Sequence, residues 1–216
     1  MKMCMFVLTA LLVGVGSTLS HAAIVPFDLV GRSGAGLLSG NEVNADGTAA
    51  TISGTPGSGG EIGAGFSFDN VARILTLNFS WTGIQGATAG TLGAATGFHI
   101  HGPVAAANPQ LGNAAVLHNI SAGTSAPGTT PLYTVLNNAN GTGSVTGTIS
   151  GITAAQEADL LAGSWYVNVH SGVNGGGEAR GNLVAVPEPS SCALLGLVAA
   201  GYAARRRFAK KKQPVA

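Results

Sequence analysis

Cysteine is nearly missing from this chain. Cys4 and Cys192 are the only two, and both lie near the ends, so residues 23–185 have neither a disulfide nor a thiolate to offer a metal. Lysine is absent from the same stretch. There Arg32, Arg73 and Arg180 stand against Asp28, Asp46, Asp69, Asp159, Glu42, Glu61, Glu157 and Glu178, a net charge of −5. That balance argues against nucleic acid as a partner, because phosphate binding rests on clustered lysine and arginine. Helical periodicity is almost wholly lacking, and long apolar runs occur only at the two ends.

The first of those runs is part of "MKMCMFVLTALLVGVGSTLSHAA", in which Lys2 precedes an apolar stretch from Met3 to Val15. Ser20 and Ala22 stand as the small residues of a cleavage site. Residues 1–22 are therefore expected to be a secretory signal peptide, too short in its apolar part to match the ~20 residues of a membrane span. Residues 23–35 are expected to be a lead into the domain. The last run belongs to "VPEPSSCALLGLVAAGYAARRRFAKKK", where a Pro-Glu-Pro turn is followed by an apolar stretch from Ser190 to Ala204 and a basic cluster from Arg205 to Lys212. An apolar stretch held by cytoplasmic positive charge reads as a stop-transfer segment, which places the C-terminal part in the membrane.

Between the ends the chain is rich in Gly, Ala, Thr, Ser and Val, with apolar alternation in short bursts between turn residues. Candidate strands are "GLLSG" at 36–40, "GTAATISGT" at 47–55, "EIGAGFSFD" at 61–69, "RILTLNFSWTG" at 73–83 and "GFHIH" at 97–101. Further candidates are "AAVLHNI" at 114–120, "GSVTGTISG" at 143–151, "SWYVNVH" at 164–170 and "EARGNLVAV" at 178–186. Stretches 86–96 and 121–131 read as long loops. The single helix candidate, "TAAQEADLLAG" at 153–163, opens on Thr153 as N-cap and ends on Gly163 as C-cap. This pattern predicts an all-β antiparallel sandwich or barrel with one short helix. Trp81, Trp165 and Tyr133 are the aromatic residues available for stacking on a sugar, although strand spacing favours core packing for the two tryptophans.

Side chains alternate along a strand, so His99 and His101 share one side of "GFHIH" while Phe98 and Ile100 share the other. Parity in "SWYVNVH" likewise sends Trp165, Val167 and Val169 to the core, and Tyr166, Asn168 and His170 away from it. Imidazoles at i and i+2 have Cα atoms roughly 6.5 Å apart, and a third from a neighbouring strand completes a site for a borderline metal such as Cu(II) or Zn(II). A hydrogen-bonded histidine pair without metal is the alternative. A hairpin of the last two strands would set His170 opposite Glu178, Asn168 opposite Arg180 and Tyr166 opposite Asn182. Glu178 would then orient His170 as a carboxylate partner beyond the metal, or pair with Arg180 instead. His118 has the parity of Ala114 and Val116 and is the weakest candidate ligand.

Three resemblances follow from these motifs. The tail, with Val186, Pro187, Glu188 and Pro189 ahead of its apolar and basic parts, resembles the PEP-CTERM sorting signal of exopolysaccharide-producing Gram-negative bacteria. It implies processing by an exosortase and release to the cell surface, outer membrane or extracellular matrix, with exopolysaccharide or other matrix components as expected partners. "LLSGNEV", "GFHIHGP" and "LLAGSWYVNVHSGVNGGGEARGNL" resemble, in order, a CHRD domain over residues 36–186, leaving 187–216 as the sorting tail. That resemblance implies a Greek-key, immunoglobulin-like sandwich and assigns no catalytic residue, so a non-enzymatic surface protein is expected. Finally, "GFHIH" and "YVNVH" are similar to the copper-binding strands of Cu/Zn superoxide dismutase, whose fold is a similar sandwich. The likeness implies copper ligation by His99, His101 and His170, and matches His118 to the bridging histidine. No Asp or Glu lies between His101 and Glu157, the disulfide has no counterpart, and Arg180 follows His170 too closely to match the dismutase arginine. A full dismutase is not expected, which leaves a copper-only site.

Overall fold

The structure, a computed structural model, describes residues 24–105 and 107–186. Residues 1–22, expected to be a signal peptide, Pro187, Glu188 and Pro189 of the expected sorting motif, and the C-terminal apolar stretch lie outside the described residues.

Its architecture grows from alternation. In β6 (Ile74–Thr82), Leu75, Leu77, Phe79 and Trp81 are buried while Thr76, Asn78 and Ser80 face away. One edge of β6 pairs along its length with β10 (Gly143–Ser150), which pairs in turn with β9 (Thr130–Asn137). The other edge is shared by β5 (Phe66–Asp69) and β4 (Ser58–Glu61). A second run of antiparallel strands goes β8 (Val116–Asn119), β7 (Gly97–His101), β11 (Tyr166–His170) and β12 (Ala179–Ala185). The two runs are joined by β1 (Ile24–Gly31), whose first half pairs with β5 and whose second half pairs with β12. The short β2 (Gly34–Ala35) folds back on the end of β1, and β3 (Leu37–Leu38) bridges β12 to β4. The result is an antiparallel all-β sandwich.

Its inner faces meet in one apolar core, where Phe66, Phe79, Trp81 and Phe98 form a file of rings 5.1 to 5.9 Å apart. Val167, Val169, Ile100, Leu183 and Leu29 close it from the second layer. Trp81 and Trp165 are both buried in this core, so neither is a surface platform for a sugar.

Between β10 and β11 lies α1 (Ala154–Leu161). Thr153 caps it in a reciprocal box with Gln156, and Ala162 rather than Gly163 is the C-cap; Gly163 follows with φ +72°, where a left-handed residue ends a helix well. Among the described residues no helix is long and apolar enough to cross a membrane.

Several expectations are corrected. Residues 47–55 form no strand and instead run as a loop, because their hydrogen bonds go to local turns and to Asn174. The 61–69 strand breaks into two at Gly63 and Gly65, both in left-handed conformation. The 36–40 strand shortens to Leu37–Leu38, because residues 39–41 turn as a single 3-10 turn. Three strands lie outside the sequence pattern: β1 and β2, within the segment expected to be a lead, and β9, which carries Pro131 and apolar residues exposed at Leu132 and Leu136.

Strands β11 and β12 are buried on both faces, so the side facing away from the core is not open surface. Asn41 donates to Arg180 O at 3.0 Å and Asn113 to Val43 O at 2.9 Å, tying the 39–57 and 102–115 segments over that face. A polar layer of Glu42, Tyr166, Asn168, Arg180 and Asn182 is trapped beneath them.

Candidate metal centre

The register sets the histidines. Strand β7 pairs with β11 so that Tyr166 stands opposite His101, Asn168 opposite His99 and His170 opposite Gly97. Gly97 matters because it has no side chain: a Cβ there would sit 3.0 Å from His99 Cε1 and 3.7 Å from His170 Cδ2, in the space two rings now share. His99 and His170 ring centroids are 4.7 Å apart and His99 and His101 centroids 5.5 Å apart. One ligand nitrogen from each of His99, His101 and His170 lies within 4.8 Å of the others. Metal-imidazole bonds of ~2.1 Å allow two nitrogens on one ion at most about 4.2 Å apart, so small ring rotations would close the set.

Hydrogen bonds decide which nitrogens are free. His101 Nδ1 is 3.0 Å from Ala114 O, and His170 Nδ1 is 3.0 Å from Gly175 O. A carbonyl only accepts, so both Nδ1 atoms carry the proton and both Nε2 atoms present a lone pair. Backbone carbonyls holding the far nitrogen in this way are the usual support for a metal-bound imidazole. His101 Nε2 is buried with no hydrogen-bond partner. His99 Nδ1 lies 3.0 Å from His170 Nε2, so without metal His99 must donate across that gap. With metal its proton would move to Nε2, leaving a donor set of one Nδ1 and two Nε2 atoms.

Burial pushes the His99 and His101 imidazoles down to about 4; at His99 the neighbouring imidazoles add to the effect, and at His101 the bond to Ala114 opposes it. Burial also lowers His170, against its bond to Gly175. The cluster is therefore neutral at pH 7, the form that ligates.

Arg180 and Glu178 act differently from expectation. The predicted hairpin register is present from Tyr166 opposite Asn182, through Asn168 opposite Arg180, to Val169 opposite Ala179, but it stops short of His170 and Glu178, and Glu178 N donates to Val169 O at 2.8 Å. Glu178, however, does not touch His170: it accepts from Gly57 N at 2.8 Å, from Gln85 N at 3.2 Å and from Asn174 Nδ2 at 3.2 Å. Three donors from the facing loops outcompete one imidazole. Glu178 and Arg180 form no ion pair either, the one salt bridge among the described residues being Arg73 with Glu157. Arg180 instead reaches Asn113 Oδ1 at 2.9 Å, Gly112 O at 2.8 Å and Pro109 O at 3.2 Å, and its guanidinium carbon lies 3.6 Å from the Tyr166 ring centroid. Tyr166 stacks against His101 with centroids 4.7 Å apart, and its hydroxyl accepts from Ala114 N at 3.2 Å. Arg180 thus holds the segment that carries the His101 carbonyl partner.

His118 stands apart from the cluster. It is cross-strand partner to Ile100, a core residue, so its ring points inward to Trp165 at 5.4 Å and its Nδ1 meets Ser125 Oγ at 2.6 Å. It is no fourth ligand. Val186, the first residue of the sorting motif, leaves β12 by donating to Pro26 O at 2.9 Å.

The residue that sequence reasoning does not find is Glu42. It is 3% exposed, and burial raises its carboxyl to about 8 against the opposing field of Arg180 and a bond from Asn168.

A β-sandwich with a lidded polar layer and a histidine cluster, followed by an export tail, defines the class of molecule: a surface domain. The CHRD domain model matches residues 35–183, and the chain belongs to that family. The PEP-CTERM protein-sorting motif matches residues 185–207, which implies processing by exosortase and export to the surface or extracellular space of a Gram-negative bacterium. No curated protein and no solved structure matches the chain.

Proposed function

We propose that this exported CHRD domain holds one copper ion at the surface of the cell or in its matrix, on His99 Nδ1, His101 Nε2 and His170 Nε2. The observation that carries the reading is the convergence of three neutral imidazoles, two of them locked by backbone carbonyls with their free nitrogens turned to one point. An all-imidazole set without carboxylate or thiolate suits borderline cations, and among the divalent first-row metals copper binds such sites most tightly. Copper adds Lewis-acid and one-electron chemistry when bound. The chain's own part is to keep the three rings unprotonated and fixed, and to leave His99 and His170, both half-buried, nearer solvent than the buried His101. The sorting tail supports an extracellular setting, where matrix components such as exopolysaccharide are the neighbours.

The test is metal analysis of the full chain exported by a Gram-negative host grown with copper and zinc together. One copper per chain is expected, falling to background in His99→Asn with His170→Asn. Zinc in place of copper, or the same metal content in the double variant, would remove the copper assignment.

A further inference from the structure

A cavity of about 420 Å³, with no histidine in its lining, is bounded by residues 42–44, 50–53, Asn113 and the glycine-rich loop 173–177. Glu42 forms part of its wall, and Glu42 Oε1 is buried with no hydrogen-bond partner. The same is true of Asn168 Oδ1, and the one bond between the two side chains, Asn168 Nδ2 to Glu42 Oε2, is long at 3.4 Å. These atoms converge beside Gly177. A Cβ there would stand 2.6 Å from Glu42 Oε1 and 2.6 Å from Asn168 Oδ1.

Asn168 Oδ1 only accepts, and the Glu42 carboxyl, which keeps its proton in the empty site, becomes a pure acceptor once a cation takes that proton's place. The other polar side chains nearby are engaged: Asn113 binds Val43 O and Arg180, Asn174 binds Ser53 and Glu178, and Asn44 binds Thr48 and Ala49. Arg180 is the nearest cation, and its hydrogen bonds go to Asn113, Gly112, Pro109 and Asn182, none to Glu42. Leaving a buried acceptor without a donor is costly, most of all at a carboxylate, so the geometry calls for a guest that brings donors and positive charge. The wall is mostly polar, with Val43, Ala50, Ile52 and Val173 as its aliphatic part. The volume falls in the ~300–1,000 Å³ range of small-molecule sites. We infer that this cavity binds an alkylamine, its ammonium on Glu42 and Asn168 and its alkyl chain between Val43, Ile52 and Val173. A polyol fits less well, because it brings no positive charge to the carboxylate.

The ammonium belongs to a lysine side chain of another protein or to a free polyamine, and the probes separate the two. Calorimetric titration of the full chain with n-butylamine, n-butanol, Nα-acetyl-lysine amide and spermidine reads the site directly. Saturable n-butylamine binding is expected in the millimolar range, at least tenfold tighter than n-butanol. It should weaken at least tenfold in Glu42→Gln, with near-ultraviolet circular dichroism unchanged, and in Gly177→Ala, whose methyl group fills the cradle. Tighter binding of the lysine amide than of spermidine would assign a protein partner; the reverse would assign a polyamine. Equal binding of amine and alcohol, unaltered binding in Glu42→Gln, or no saturation with any of the three amines would overturn the inference.

Discussion

Replacing Glu42 by glutamine should stabilise the metal-free protein increasingly as pH rises. The carboxyl sits in the buried polar layer and its folded value is about 8, against 4.5 for an unperturbed glutamate, because burial disfavours the charge more than Arg180 favours it. A folded value above the unfolded one means that the unfolded chain sheds its proton first. Stability from this group is intact below pH 4.5 and is lost as pH rises toward 8. One pKa unit corresponds to ~1.4 kcal/mol, so the interval of about 3.5 units sets an upper bound of about 5 kcal/mol, with ~2.5 kcal/mol falling between pH 5 and pH 7. The amide of the Glu42→Gln variant has no proton to lose over this range, while Arg180 stays charged in both proteins and shifts their difference by a constant. Urea unfolding of wild type and Glu42→Gln in chelator at pH 5, 6, 7 and 8 gives that difference as a function of pH. It should grow with pH by about 1 kcal/mol or more between pH 5 and 7, on the linkage relation. Parallel stability curves would show that Glu42 ionises normally and would refute the buried neutral acid.

Other predictions rest on the same geometry. His118 is buried with a value near 4, below the unfolded 6.5, so it costs stability as pH falls through that window; His118→Phe should recover up to about 3 kcal/mol at pH 4, read by denaturant midpoints. Arg180→Lys removes the fork that holds residues 109–114 and should weaken copper binding by about 10- to 100-fold, measured by competition with a chelator, with a loss of stability besides. Gly97→Ala crowds His99 and should lower copper affinity by at least tenfold while the circular dichroism of the sandwich is kept. Copper should dissociate as pH falls toward 4, where His99 and His101 take up protons, and a plateau of affinity down to pH 4 would contradict their role.

Period-two alternation makes the second layer legible. The pattern of "GFHIH" and "SWYVNVH" separates Phe98, Ile100, Trp165 and Val167 from the histidines, and the hairpin arithmetic around "SGVNGGG" sets Asn168 opposite Arg180 as it stands in the structure. Parity says which side a residue faces and nothing about what covers that side. The side bearing Tyr166, Asn168 and Arg180 reads as surface in the sequence, whereas two loops close over it through Asn41, Asn113 and Glu178. Glu42 is hidden for the same reason: it follows a two-residue strand and a 3-10 turn, too short for any periodicity to orient. The facing of His118 is fixed by its partner Ile100, a relation between strands that no single segment contains. Strand β1 escapes the pattern because its halves pair with different strands and only the second alternates, with Phe27, Leu29 and Gly31 buried, while Ile24, Val25 and Pro26 do not.

The most direct measurement of the central claim is titration of Cu(II) into the full chain, followed by electron paramagnetic resonance. The account predicts a single species that saturates at one equivalent, shows hyperfine coupling to imidazole nitrogen, and is lost when His99 and His170 are both replaced by Asn. Copper without nitrogen coupling, or an unchanged spectrum in the double variant, would contradict it.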